Sequence, residues 1–119
     1  MAAPNLKAPS TITGKTAAYS CTSSLAAALS NSAASNKVLK VNTIRAANID
    51  ATSAFSIDLT VYRSTTHTYL ASAISVPVNS TLLLLSKEEY LYLEEGDAIY
   101  AKGSTSGKID LTISYEEIA

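Results

Sequence analysis

The 119-residue chain has no tryptophan and only one phenylalanine, one histidine, one cysteine and one methionine. A single cysteine cannot close an intramolecular disulfide, which excludes a stapled secreted scaffold, and Cys21 reads instead as a small buried hydrophobe. The one histidine, His67, lies in Thr65-Thr66-His67-Thr68 among hydroxyls and beside no acid, so it reads as a solvent-facing turn residue rather than a general base. Neither Cys21 nor His67 carries the local signature of a nucleophile and base pair. No catalytic residue emerges, and an enzyme is not expected.

Charge is also scarce, at 16% of residues against about 25% in ordinary soluble domains. The formal net charge is −1, the pI is near 5.7, and no two of the nine Lys and Arg are adjacent. That excludes the basic stripe by which proteins displace counterions from nucleic-acid phosphates. The longest strongly apolar run, residues 82–85, is far short of the ~20 residues that cross a bilayer, so no membrane association is expected. The opening MAAPNLKAPSTITG has no apolar stretch of signal-peptide length, and Pro4 and Pro9 interrupt it. The four glycines, at 14, 96, 103 and 107, are isolated turn formers and no phosphate-binding loop. Glu88, Glu89, Glu94, Glu95 and Asp97 offer the hard oxygens that suit calcium, but they lack the alternating ligands of a calcium loop, and a strand at residues 90–93 divides them. Solvated turn charges that discourage edge pairing are the better reading, and no metal or cofactor is expected.

Small and β-forming residues fill the chain. Ser and Thr make up about a quarter of it, and seven tyrosines supply nearly all the aromatic area. Period-two alternation is clearest at the end, where Ile109, Leu111, Ile113 and Tyr115 oppose Asp110, Thr112, Ser114 and Glu116. Leu91 and Leu93 likewise oppose Tyr90 and Tyr92, and Ile99 and Ala101 oppose Tyr100 and Lys102. In residues 55–62, Ile57, Leu59 and Val61 share a face. In residues 37–50, Leu39 and Val41 share a parity that Ile44 breaks, which predicts a bulge, or a strand changing its partner, near Asn42. The short linker to the next strand suggests that these two strands pair. A turn follows at residues 64–66 and a strand at 68–73. The run at 81–85 is expected to be buried on both faces.

Residues 16–36 are ambiguous. Leu25 and Leu29 have helical spacing, but the density of Ser and Thr favours two short strands joined by a turn.

Strand segments thus recur about every ten residues, which predicts an all-β, antiparallel β-sandwich, Ig-like or jelly-roll-like, over residues 15–119. Residues 1–14 read as an extended N-terminal arm or a frayed end, with Pro4, Leu6, Pro9 and Ile12 as its candidate contacts. Tyr90, Tyr92 and Tyr100 share a parity on what look like adjacent strands. They could pack in the core or a subunit interface, which the lack of converging polar groups favours, or form a glycan platform with Asp97.

Several stretches together resemble small virion structural proteins of tailed bacteriophages, notably those of marine and cyanobacterial hosts: MAAPNLKAPSTITGKT, KVLKVNTIRAANID, IDLTVYR, THTYLA and LYLEEGDAIYAKGSTSGKIDLTISYEEI. The "YLEEGD" turn and the final "SYEEI" are the most distinctive parts. The resemblance implies a non-enzymatic virion component, made in the bacterial cytoplasm and assembled in many copies. A capsid decoration (cement) protein contacting the major capsid protein is favoured, as a homo-oligomer and by preference a trimer. A neck, tail or baseplate ring and a host-glycan-binding module are the alternatives.

Overall fold

Alternating apolar and polar side chains leave one wet and one dry face on each segment, and the chain resolves this by forming strands throughout. A computed structural model describes residues 4–119. Its strands are β1 (Ile12–Ser20), β2 (Ala26–Ser30), β3 (Val38–Asn48), β4 (Phe55–Arg63), β5 (Thr66–Val76), β6 (Thr81–Leu85), β7 (Leu91–Leu93), β8 (Ala98–Gly103) and β9 (Ile109–Ile118), with one 3₁₀ turn at Lys87–Glu89. Among the described residues no helix is long and apolar enough to cross a membrane.

Two antiparallel sheets form a sandwich. One has the order β1-β9-β3-β6, with β7 also on β3, and the other β2-β8-β4-β5. β6 lies along residues 44–47 of β3 and β7 along residues 39–41, so the two short strands follow one another on a single edge. The pairs are nested: β4 with β5, β3 with β6 and β7, β2 with β8, β1 with β9. A long hairpin folded double and rolled up so that successive pairs alternate between sheets is a jelly roll, which decides between the two sandwiches the sequence leaves open. At the hairpin tip Ser64 and Thr65 have φ of 50° and 64°, the positive values a two-residue turn between twisted strands demands.

The inward parities meet in one core. Ile44, Ile57, Leu59, Leu93, Ile99, Ile109, Leu111 and Ile113 are at most 1% exposed, each burial stabilising by about 1.5–3 kcal/mol. The bulge sits at Asn42, where pairing with β9 slips between Val41 and Thr43, so that Leu39 and Val41 before it and Ile44 and Ala46 after it all face inward. Asn42 Oδ1 is buried there without a hydrogen-bond partner among the described residues.

Two expectations about strand pairing and burial need correction. β3 and β4 do not pair; they belong to opposite sheets, and residues 49–54 carry the chain across. The Asn48 amide fixes that crossing by donating to the carbonyls of Ser53 and Val76, both at 3.0 Å. Residues 81–85 are not buried on both faces, because β6 is an edge strand and Leu83 is 51% exposed.

The arm is shorter and less extended than expected. β1 begins at Ile12, so residues 12–14 belong to the sandwich. Before it, Asn5 closes a turn by accepting from the Lys7 and Ala8 amides, both at 3.0 Å, as asparagine does when its side chain mimics the backbone. Ambiguous residues 16–36 do hold two strands, β1 and β2, but these enter different sheets.

Candidate interaction surface

His67 is not a turn residue. It lies in β5 directly opposite Tyr62 of β4, half-buried, with Nδ1 2.9 Å from Thr60 Oγ1. The rings of Tyr62 and Tyr100 pack against it at 4.7 and 4.9 Å. Its partners among the described residues are thus a hydroxyl and two phenol rings, which fix the imidazole. Cys21 is wholly buried, and burial, aided by the negative charge of Asp110, pushes its thiol up to about 12. It stays a neutral, unreactive thiol at physiological pH.

The acidic turn after β7 is occupied by protein groups. Asp97, 3% exposed, accepts the single Arg63 Nε–H shared between its two carboxylate oxygens at 3.0 Å each, a further bond from an Arg63 terminal nitrogen, and the Glu94 amide at 2.9 Å. Arg63 also reaches Glu94 Oε2 at 2.8 Å. Asn31, 4% exposed, clasps the same turn: its amide nitrogen donates to the carbonyls of Lys37 and Leu93, and its Oδ1 accepts from Ser35. An open groove of about 520 Å³ between β4, β5 and β7 is lined by Val61, Arg63, Leu91 and Tyr92. The guanidinium bordering it is committed to Asp97 and Glu94.

The expected contact residues separate into two groups. Tyr90 and Tyr92 meet edge to face at 5.6 Å, and Lys40 Nζ stands 4.4 Å from the centre of the Tyr90 ring and 4.0 Å from Glu116. Strand register places Gly14, Glu116, Lys40 and Tyr92 in one row across four strands, with Ile12, Ile118 and Val38 in the next row of the same parity. Ile12, Tyr90 and Tyr92 therefore share the outward face at one end of the β1-β9-β3-β7 sheet. Tyr100 does not join them. It faces outward from the other sheet against Tyr62 and His67, because residues 94–97 carry the chain between sheets. The glycan set Tyr90, Tyr92, Asp97 and Tyr100 is accordingly not assembled. In the N-terminal segment Leu6 is 47% exposed and Ile12 58%, while Pro4 and Pro9 are half-buried. Ser10 and Thr11 donate to the Ala119 carbonyl and Ala119 donates back to Thr11, so the segment is rooted at the C-terminus.

A larger feature lies in where charge is missing. No Asp, Glu, Lys or Arg occurs in residues 16–36 or in residues 64–86. The first stretch carries most of β1 and all of β2, and the second carries β5 and β6. In the fold β1 and β2 are edge strands at one side of the sandwich, and β5 and β6 are edge strands at the other. Five of the nine large hydrophobic side chains that are exposed among the described residues, Tyr69, Leu70, Ile74, Val78 and Leu83, lie in the second stretch. The spacing of charge alone would have revealed it. No protein-family model matches the chain, and no curated protein matches it.

Proposed function

We propose that the chain is a non-enzymatic structural protein of a tailed-phage virion, a decoration protein that binds outside the capsid and clamps neighbouring major capsid subunits. The sequence resemblance supports the virion context. Jelly rolls serve in capsids and lectins alike, so the fold does not choose between them. The observation that carries the decoration reading is the N-terminal segment. Residues 4–11 precede the first strand, rooted by three backbone hydrogen bonds at Ala119, and the apolar Leu6 and Ile12 are held in water at 47% and 58% exposure. Apolar groups held out on a fixed root suit insertion between neighbours, and the two prolines reduce the entropy lost on docking. Binding that favours the mature lattice stabilises it by linkage, and weak contacts multiply over many copies.

The test uses emptied mature shells and unexpanded precursor shells of the phage that encodes the chain. Full-length protein should co-sediment with mature shells and raise their disruption temperature. A variant lacking residues 1–9 should keep its own melting temperature and stay in the supernatant. Equal attachment by the truncated chain would overturn the role given to the segment. The two uncharged sides favour a second reading, a neck, tail or baseplate ring, and attachment to isolated tails instead of shells would support it.

A further inference from the structure

The two uncharged sides of the sandwich invite a partner. A sheet edge exposes a row of unpaired N–H and C=O groups, and proteins that stay monomeric guard such edges with lysine, inward-pointing charge or very short strands. β5 is 11 residues long and carries no Asp, Glu, Lys or Arg. β6 beside it is likewise uncharged, and the turn between them leaves Val78 39% exposed. On the opposite side β1 contributes a single charge, Lys15, and β2 none. All other charged residues of the described chain lie in β3, β4, β8 and β9, the 3₁₀ turn and the connecting loops, or before β1.

We infer that the chain assembles with second copies of itself head to tail, the β5/β6 side of one copy against the β1/β2 side of the next, into a closed ring. Charge is the first reason. Apart from Lys15 and the 3₁₀ turn Lys87–Glu89, which joins β6 to β7 on the same edge, a contact between these sides meets no charge, whereas a highly charged partner would leave its own charges desolvated and unpaired. Shape is the second. Exposed Tyr69, Leu70, Ile74 and Leu83 on one side face a side built of Ala17, Ala18, Ala26 and Ala27, so large residues meet small ones. Area is the third. At ~3.4 Å per residue β5 is ~37 Å long, and a two-layer side ~20 Å across then offers roughly 700 Å², close to the ~800 Å² per partner of a standard stable interface.

Pairing of β5 with β5 about a two-fold axis would leave the β1/β2 side open; head-to-tail contact uses both sides, and a heterologous contact that closes is a ring. β5 and β2 are edges of one sheet and β6 and β1 edges of the other, so each sheet would continue through the contact. This inference stands whether or not the virion reading holds.

The test is the mass of the full chain at ~100 μM by light scattering, with two double variants at exposed positions. Ile74→Lys with Leu83→Lys charges the β5/β6 side, and Ala18→Lys with Ala27→Lys charges the β1/β2 side. Ser72→Lys and Ser20→Lys are milder replacements should either pair fail to fold. The wild type should be a ring of three or more copies, and each variant alone a folded monomer. A 1:1 mixture of the two variants should form a dimer of one copy each, because one intact β1/β2 side then meets one intact β5/β6 side. A monomeric wild type would overturn the inference. So would wild-type assembly by the β1/β2 variant, or a mixture that stays monomeric.

Discussion

Replacing Asn48 by aspartate changes one NH₂ to one oxygen and should nonetheless destabilise the fold severely at neutral pH. Asn48 is 3% exposed at the end of β3, where the chain leaves one sheet for the other. Its Nδ2 donates to Ser53 O and Val76 O at 3.0 Å each, and its Oδ1 accepts the Asp50 amide at 2.9 Å. Aspartate keeps the acceptor and loses both donors. The buried Val76 carbonyl left without its partner costs about 1–3 kcal/mol, and the more exposed Ser53 carbonyl adds less, before any charge is counted.

An ionised carboxylate against two carbonyl oxygens in so buried a place would add to that, and the new acid would relieve it by holding its proton to higher pH than in the unfolded chain. Between the unfolded value of about 3.9 and the raised folded value the native state binds more protons, so stability falls as pH rises through that window. Asn48→Asp should therefore be more destabilised than Asn48→Ala at pH 7 and draw level with it, or pass it, near pH 3.5. Urea unfolding followed by tyrosine fluorescence at both pH values gives the comparison. An aspartate variant within about 0.5 kcal/mol of wild type at pH 7, inside the range of ordinary surface substitutions, would refute the claim that this amide fixes the sheet crossing.

Two further predictions concern titratable groups. The Asp50 carboxylate accepts from the Thr52 hydroxyl and from the Ser53 and Thr52 amides, which, with Lys108, hold it down at about 2. Its contribution to stability is complete above the unfolded value near 3.9 and is lost as pH falls towards 2. Carboxyl NMR should show a midpoint near 2 that Thr52→Ala moves upward; a midpoint unchanged by that substitution would contradict the assignment. The buried Cys21 thiol, pushed up to about 12, should resist alkylation in native protein at pH 8 and react at the rate at which the fold opens. Rapid labelling at a rate insensitive to urea would show that the thiol is not enclosed by β1, β8 and β9.

Side-chain parity was readable wherever a strand obeyed it. Ile109, Leu111 and Ile113, Ile57 and Leu59, and Ile99 and Ala101 are inward in the sequence pattern and buried in the fold, and the break between Val41 and Ile44 marks the bulge at Asn42. Each of these is a property of neighbouring residues, since successive side chains on a strand must point to opposite faces. Which strand lies beside which is not a local property. β3 and β4 look like a hairpin in sequence but lie in opposite sheets, because the buried amide of Asn48 bonds Val76, 28 residues away, a partner that no local window contains. Thr81 to Leu85 read as a strand buried on both faces, yet a last place in its sheet leaves Leu83 in water.

The aromatic residues show the same division. Their outward parity is fixed along each strand, but whether Tyr100 joins Tyr92 or His67 depends on the sheet to which its strand is assigned. The placement of charge runs the other way: its absence from residues 16–36 and 64–86 is written in the sequence. Only the rolling of the chain into two sheets makes those two stretches the opposite edges of one molecule, because an edge is defined by the strand that is missing beside it.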